Sequence, residues 1–346
     1  LLKLVEDPEI ISFAGGLPAP EVFPRAEVDA ATERVLREHG DLALQYGATE
    51  GYRPLRELLV RHMGPYGIDG ACGNVLVTSG AQQALDLIGK LFIDPGDRVV
   101  TESPTYLGAL QAFNAYEARY LSLPIDDDGL RVDRLEEALR KEPKFVYVLP
   151  NFQNPSGVTL SRARRRRLVE LCARYGVPVV EDDPYGQLRY AGQHEPALVR
   201  FDRDLHGDGG GRFRSGVIYV GTLSKTLAPG LRVGWVVAPE EVVVRLTQLK
   251  QGADLHSSTF AQMVAFETAR GGFLDRQVQT ARPVYGQRRQ AMLAALERHF
   301  PRGVKWTRPE GGLFLWVSLP ETLDAGTNNE ELLVDPLYLG YPHRRI

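Results

Sequence analysis

Residues 221–235 read GTLSKTLAPGLRVGW, and one lysine in that stretch, Lys225, decides how the rest of the chain is read. The run leading into it, GVIYVGTL (216–223), is β-branched and aromatic, the composition of a buried strand. Pro229 and Gly230 then break the chain, and LRVGWVVA (231–238) resumes strand-like patterning. Lys225 therefore stands at the end of a core strand. A desolvated ammonium there costs free energy unless the fold uses it.

Working outward, apolar strands and amphipathic helices alternate. NVLVTSG (74–80) reads as a strand and AQQALDLIGKLF (81–92) as a helix. DRVVTESP (97–104) is the next strand, followed by TYLGALQAF (105–113) as a helix and KFVYVLPNF (144–152) as a strand. SRARRRRLVELCARYG (161–176) is a helix that Ser161 can cap and Gly176 can end. VPVVEDDPY (177–185) and the lysine strand follow, separated by a polar loop around HGDGGGRFRSG (206–216). This alternation predicts an α/β fold, a mostly parallel central sheet flanked by helices, and ligands bind beyond the carboxyl ends of such strands. The residues that follow the strands are chemically distinctive: Ser79-Gly80-Ala81-Gln82, Asn154-Pro155-Ser156-Gly157, Asp182-Asp183-Pro184-Tyr185 and Thr222-Leu223-Ser224-Lys225. They are expected to converge on one crevice. After about residue 240 the pattern is helical and then β at GVKWTRPEGGLFLWVSLP (303–320), which suggests a smaller α+β domain.

Composition narrows the function. The chain has 346 residues, 43% hydrophobic and 25% charged, enough for a large core with a smaller second unit. A net charge of −3 provides no general attraction for nucleic acid or an anionic membrane. Two cysteines form no disulfide framework, and the seven histidines lack metal-ligand spacing. No apolar run approaches the ~20 residues of a membrane span, and the first ten residues lack a signal-peptide layout, so a soluble cytoplasmic protein is expected. The basic run 162–167 reads as a solvated helix face rather than a nucleic-acid patch. The GDGGG at 207–211 follows no strand and is no dinucleotide fingerprint.

An amine, a carboxylate, a tyrosine hydroxyl and an asparagine amide gathered in one crevice, beside a strand–Ser-Gly–helix turn with free N–H groups, form the set that pyridoxal phosphate needs. Arg232, seven residues after Lys225, can add a bidentate contact to the phosphate. Asp182 could alternatively cap a turn, Tyr106 could be core packing, and Tyr46 an ordinary surface or interface aromatic.

The chain resembles the fold-type I pyridoxal-phosphate aminotransferases, and within them the branch of bacterial 2-aminoadipate and kynurenine aminotransferases. The resemblance is carried in order by ISFAGGLPAPEVFP, LQYGATEGYRPLRE, VTSGAQQALDL, ESPTYLGALQAF, PNFQNPSGVTL, VVEDDPYGQL, YVGTLSKTLAPGLRVGW, KQGADLHSS and RPEGGLFLW. It implies that Lys225 is the Schiff-base lysine and proton shuttle, Asp182 the partner of the pyridinium, and Tyr185 and Asn154 the neighbours of the ring hydroxyl. Gly80, Ala81, Gln82, Ser224 and Arg232 would form the phosphate cup, with Tyr106 stacked on the cofactor ring. Tyr46 would reach the phosphate of a neighbouring subunit in a homodimer with shared sites. Gly15, Gly16 and Asn154 would meet the substrate. The implied domains are an N-terminal segment (1–40) joining the small domain, a large cofactor domain (41–240) and a small C-terminal domain (241–346), atypical after about residue 333. There the chain reads VDPLYLGYPHRRI, without the family's arginine-bearing strand, and that arginine's role is not transferred to Arg344 or Arg345. The resemblance implies amine exchange between an amino acid (2-aminoadipate-like, aromatic or branched) and a 2-oxo acid such as 2-oxoglutarate. A cofactor-sensing regulatory module and a non-catalytic relative of the same fold are the alternatives.

Overall fold

The structure, a computed structural model, describes residues 16–206 and 213–320. Ten strands occur among these residues, eight of them in one sheet: β1 Val75–Thr78, β2 Arg98–Ser103, β3 Arg119–Asp126, β4 Gly129–Leu130, β5 Phe145–Val148, β6 Val179–Asp182, β7 Val217–Thr222 and β8 Gly234–Val237. Their spatial order is β1-β8-β7-β6-β5-β2-β3-β4. Strands β3, β2, β5, β6 and β7 pair in parallel, whereas β8 lies antiparallel between β1 and β7. The two remaining strands, β9 Lys305–Trp306 and β10 Val317–Ser318, form a separate antiparallel pair.

The helices are α1 Arg25–Ala43, α2 Arg53–Met63, α3 Ala81–Phe92, α4 Leu107–Asn114, α5 Leu135–Leu139, α6 Arg162–Tyr175, α7 Leu198–His206, α8 Glu240–Gln251, α9 Thr259–Ala269 and α10 Phe273–His299. The period-two side-chain alternation of the strands divides them between two apolar layers. Val75, Val77, Val146, Val148, Val217 and Trp235 face a core shared with α2, α6 and α7. Leu76, Phe145, Tyr147, Ile218, Val220 and Val236 face a second core shared with α3, α4 and α8. Both faces are therefore covered, which explains why these strands read as continuous apolar runs.

Helix α1 packs along α9 through Ala31, Val35, Met263 and Val264. The segment around Ala19 and Val22 docks on Ala281 and Tyr285 of α10. Helices α8 and α9 place Val243, Leu246, Ala265 and Ala269 in the two cores of the large sheet. Gly176, at φ 65, ends α6 in the left-handed conformation expected of it, while Ser161 occupies the N-cap position without a capping side-chain bond.

The basic run departs from the solvated face expected of it. Arg162 and Arg164 reach Glu195 and Asp126 near the surface, but Arg165 is fully buried. Its guanidinium donates to the carbonyls of Pro150, Leu160 and Pro196 and to Asn151 Oδ1. Those carbonyls belong to loops at the strand ends, and a guanidinium carries enough donors to satisfy them all at once. Arg165 is thus a staple for the loop that carries Asn154. The glycine-rich stretch 207–211 lies outside the described residues.

Candidate active site

The four distinctive turns sit at one end of the sheet, because β1, β5, β6 and β7 run in the same direction. Lys225 follows β7 by three residues, and its Nζ donates to the carbonyl of Gly16 at 3.1 Å. It stands 6.0 Å from the centroid of the Tyr185 ring. Burial, with Arg232 nearby, lowers the amine to about 8, so about a tenth of it is neutral at pH 7, far more than for an ordinary lysine. Gly16, at φ +49, is where the N-terminal segment crosses this site, and a Cβ there would lie 2.2 Å from Phe314.

Asp182 ends β6 and is 2% exposed. Its Oδ2 accepts a 2.8 Å bond from Tyr147 Oη, whereas its Oδ1 is buried with no partner among the described residues. Burial raises this carboxyl to about 7, opposed by the Tyr147 bond. Tyr185 is buried and meets Phe314 edge-on at 5.7 Å. Asn154 is buried in the turn after β5, and its Oδ1 also lacks a donor among the described residues.

The turn after β1 supplies the other end of the site. Gly80, at φ 85, is the N-cap of α3 and offers no side chain to cap it. The first N–H groups of a helix have no intrahelical partner, so Ala81 and Gln82 open an anion-attracting terminus. Glycine is required at position 80 by its backbone, at φ 85 and ψ 167, and a Cβ there would also push the Arg232 guanidinium out of place. Arg232 is itself left-handed, at φ 52, and its Nη2 donates to Ser79 O at 3.4 Å. Ser224 is bonded through both its N–H and its hydroxyl to Thr222 Oγ1. Tyr106 lies half-buried over the same helix start, its hydroxyl 3.4 Å from Gln82 Oε1.

Tyr46 stands apart from these. It is 77% exposed and meets His256 edge-on at 5.7 Å. Gly15, Arg344 and Arg345 lie outside the described residues.

Sequence reading overlooked several residues that shape the site. Tyr147 was legible only as a strand aromatic, although a buried tyrosine hydroxyl needs a partner and Asp182 is on the adjacent strand. Glu102, at the end of β2, is buried and pushed up to about 8 by desolvation, with bonds from Leu149 N and Gln153 Nε2 opposing it. Gln153 in turn accepts from Ser156 N, and so helps hold the Asn154 turn. Beneath Ser79 lie Gln83, Lys250, Asp254 and Ser257, a polar cluster whose last three members fall in KQGADLHSS, a segment to which sequence reading gave no role. Among the described residues no group of His, Cys, Asp and Glu could hold a metal ion, and no helix is long and apolar enough to cross a membrane.

The residues present fit pyridoxal phosphate. Asp182 Oδ1 is a buried acceptor that lacks a donor, and a protonated pyridine nitrogen is one. The uncapped start of α3 with Arg232 suits a phosphate, and Lys225 supplies the amine.

Comparison with known proteins agrees. The pattern of the family described as aminotransferase class I and II matches residues 14–336. Aromatic-amino-acid aminotransferase 1 of Thermococcus litoralis is 48% identical over 332 residues, spanning 94% of this chain and 77% of that protein. The crystal structure of LysN, the α-aminoadipate aminotransferase of Thermus thermophilus complexed with N-(5'-phosphopyridoxyl)-L-leucine, superposes with a TM-score of 0.85. It is 45% identical, over 92% of this chain and 78% of that one. The kynurenine aminotransferase of Pyrococcus horikoshii gives a TM-score of 0.87 at 47% identity, over 94% and 80%.

Proposed function

The chain belongs to the aminotransferase class I and II family, and from that premise we propose which residues carry its reaction and which substrates it takes. It is a pyridoxal-phosphate-dependent aminotransferase of fold type I. The observation that carries the residue assignment is a pairing at one end of the sheet. A partly buried amine of lowered basicity, Lys225, accompanies a buried carboxylate with one unmatched oxygen, Asp182.

When bound, the cofactor supplies the electron-withdrawing ring that carries the amino group from one substrate to the other. Lys225 is the residue that would hold the cofactor, and its Nζ, once free, would move the proton at the substrate α-carbon. Its lowered basicity matches that task, since a base works best when its pKa lies near the working pH. Asp182 Oδ1 would keep the ring nitrogen protonated, and the bond from Tyr147 favours the ionised carboxylate that this needs. Tyr185 and Asn154 orient the ring hydroxyl, and Tyr106 stacks on the ring. Ala81 N–H, Gln82 N–H, Ser224 and Arg232 bind the phosphate around Gly80. Gly16, whose carbonyl holds the Lys225 amine, would border the substrate with Asn154.

The donor is a 2-aminoadipate-like, aromatic or branched amino acid, and the acceptor a 2-oxo acid such as 2-oxoglutarate. The aromatic, α-aminoadipate and kynurenine aminotransferases to which the chain is similar, one of them bound to a leucine adduct, support the range of donors. A homodimer is part of the same proposal: Leu42, Leu44, Tyr46 and Leu255 are 47–77% exposed, an apolar surface suited to a second copy that Tyr46 would enter. So are a cytoplasmic setting and the division into segments 1–40, 41–240 and 241–346.

The test follows the visible absorbance of the purified chain as amino acids are added singly. Bleaching by 2-aminoadipate, with glutamate formed from 2-oxoglutarate, is expected. Lys225→Ala should bind cofactor without the visible band and transfer almost no amine; retained turnover in that variant would end the assignment.

A further inference from the structure

Lys250 is fully buried, at the end of α8, and it faces no bulk water. Its Nζ donates to Asp254 Oδ1 and Oδ2 at 2.7 and 2.8 Å and to Gln83 Oε1 at 2.7 Å. Burying such an ammonium brings little net stability, and a well-packed apolar side chain would serve helix packing as well or better. The arrangement therefore points to a positional task.

That task is visible in where the bonds lead. Asp254 Oδ2 also accepts from Gln83 Nε2 at 2.7 Å and from Ser79 Oγ at 3.1 Å. Gln83 Oε1 accepts from Ser79 N at 2.8 Å, Ser257 Oγ lies 3.0 Å from Ser79 Oγ, and Arg232 Nη2 holds Ser79 O. Every polar atom of Ser79 is thus engaged, three of the contacts arriving from the Lys250 side and one from Arg232. Gln83 is the third residue of α3, where a glutamine commonly reaches back to the N-cap N–H. Here it reaches one residue further, to Ser79, so the turn is rigid while the first N–H groups of the helix stay uncapped.

We propose that Lys250 and Asp254 are positioning residues for the cofactor phosphate: through Gln83 and Ser79 they fix the Gly80 turn so that the start of α3 and Arg232 address one anion. The inference rests on the cofactor assignment above. Neither residue touches the phosphate; both act through the turn.

The experiment compares pyridoxal phosphate with pyridoxal, which lacks the phosphate, in binding to the full chain freed of cofactor. The wild type should bind the phosphate form far more tightly. In Lys250→Met the affinity for pyridoxal phosphate should fall about ten-fold, with that for pyridoxal held within about two-fold. Gln83→Met, which leaves the Lys250–Asp254 pair intact, should show the same selective loss and serves if Lys250→Met does not fold. Equal weakening toward both molecules would mean a general packing role, and no weakening would mean no role; either overturns the inference. A wild type that does not discriminate between the two would instead overturn the phosphate-site assignment.

Discussion

Tyr147 Oη donates a 2.8 Å hydrogen bond to Asp182 Oδ2 from the neighbouring strand, and among the described residues this bond is the feature that favours the ionised form of a buried carboxyl. Replacing Tyr147 by Phe keeps the ring against Phe113 and removes only that donor. The Asp182 carboxyl, already raised to about 7 by burial, should rise further, so its ionised form would require a higher pH. The acidic limb of the pH–activity profile should move upward, with kcat near neutrality reduced about ten-fold. A lower kcat with an unmoved limb would show that Tyr147 acts only by packing.

Lys225 should destabilise the cofactor-free protein. Its amine is lowered to about 8 in the fold against 10.5 for the free side chain. Between those values the unfolded chain binds more protons, so the penalty is full below about 8 and is relieved as the pH rises toward 10.5. Lys225→Met should therefore be more stable than the wild type at pH 7, by roughly 3 kcal/mol at most, and lose that advantage near pH 10. Urea titrations of both proteins at the two pH values give the comparison.

Glu102 should make stability depend on pH in the opposite direction. Its carboxyl is raised from 4.5 to about 8 by desolvation, so between those values the folded state holds a proton that the unfolded state has released. Stability should fall as the pH rises through that window, by up to about 1.4 kcal/mol per unit for one such group. Glu102→Gln retains an acceptor for Leu149 N and should flatten the slope. Some slope should persist, because Glu181 is raised to about 8 for the same reason and holds the N–H groups of Leu198 and Val199.

Gly234, the first residue of β8, lies directly against the Gly80 turn. A Cβ there would come within 2.5 Å of Gly80 C and 2.6 Å of Ala81 N, backbone atoms that cannot turn aside. Gly234→Ala should cost about 1–3 kcal/mol through overpacking. It should also weaken the binding of pyridoxal phosphate more than that of pyridoxal. Calorimetric unfolding and the two binding curves separate these effects, and an unchanged preference for the phosphate form would show that the turn tolerates displacement.

Most of the sheet was legible because its strands are buried on both faces and carry uninterrupted apolar runs. VLVT, FVYV, VVED and VIYVGT all lie within the runs read as strands, although the runs 144–152 and 177–185 extend past the observed strands into the loops that follow them. Strand β3, RYLSLPID, escaped because most of its residues are partly or fully exposed and its composition resembles a loop. Helix α1 escaped for a related reason, since only Ala31, Val35 and Ala43 among its residues are buried. In the site, residues that follow strands announced themselves by chemistry at odds with their surroundings. Their supports did not. Lys250 and Asp254 look like any helical i,i+4 ion pair, and only the packing of α8 on α3 reveals that the lysine is sealed from water beneath Ser79. Arg165 was hidden within RARRRR, because a run of like charges gives no hint of which member turns inward.

The placement of β8 has a consequence for how the protein is made. Strand β1, which leads into the Gly80 turn, is an edge strand whose sheet partner is β8, so Val75 pairs with Val237 and Thr78 with Gly234. About 160 residues separate the partners, the kind of distant closure that makes assembly slow. A ribosome that has released the chain as far as Lys225 has exposed Asp182 and Asn154 as well, yet β1 still lacks its neighbour and Arg232 has not emerged. The cofactor pocket is therefore completed late in synthesis, after most of the large sheet has had time to form. Until then the nascent chain carries two apolar strands that lack this neighbour, VLVT and VIYVGT, and both are open to aggregation along that edge.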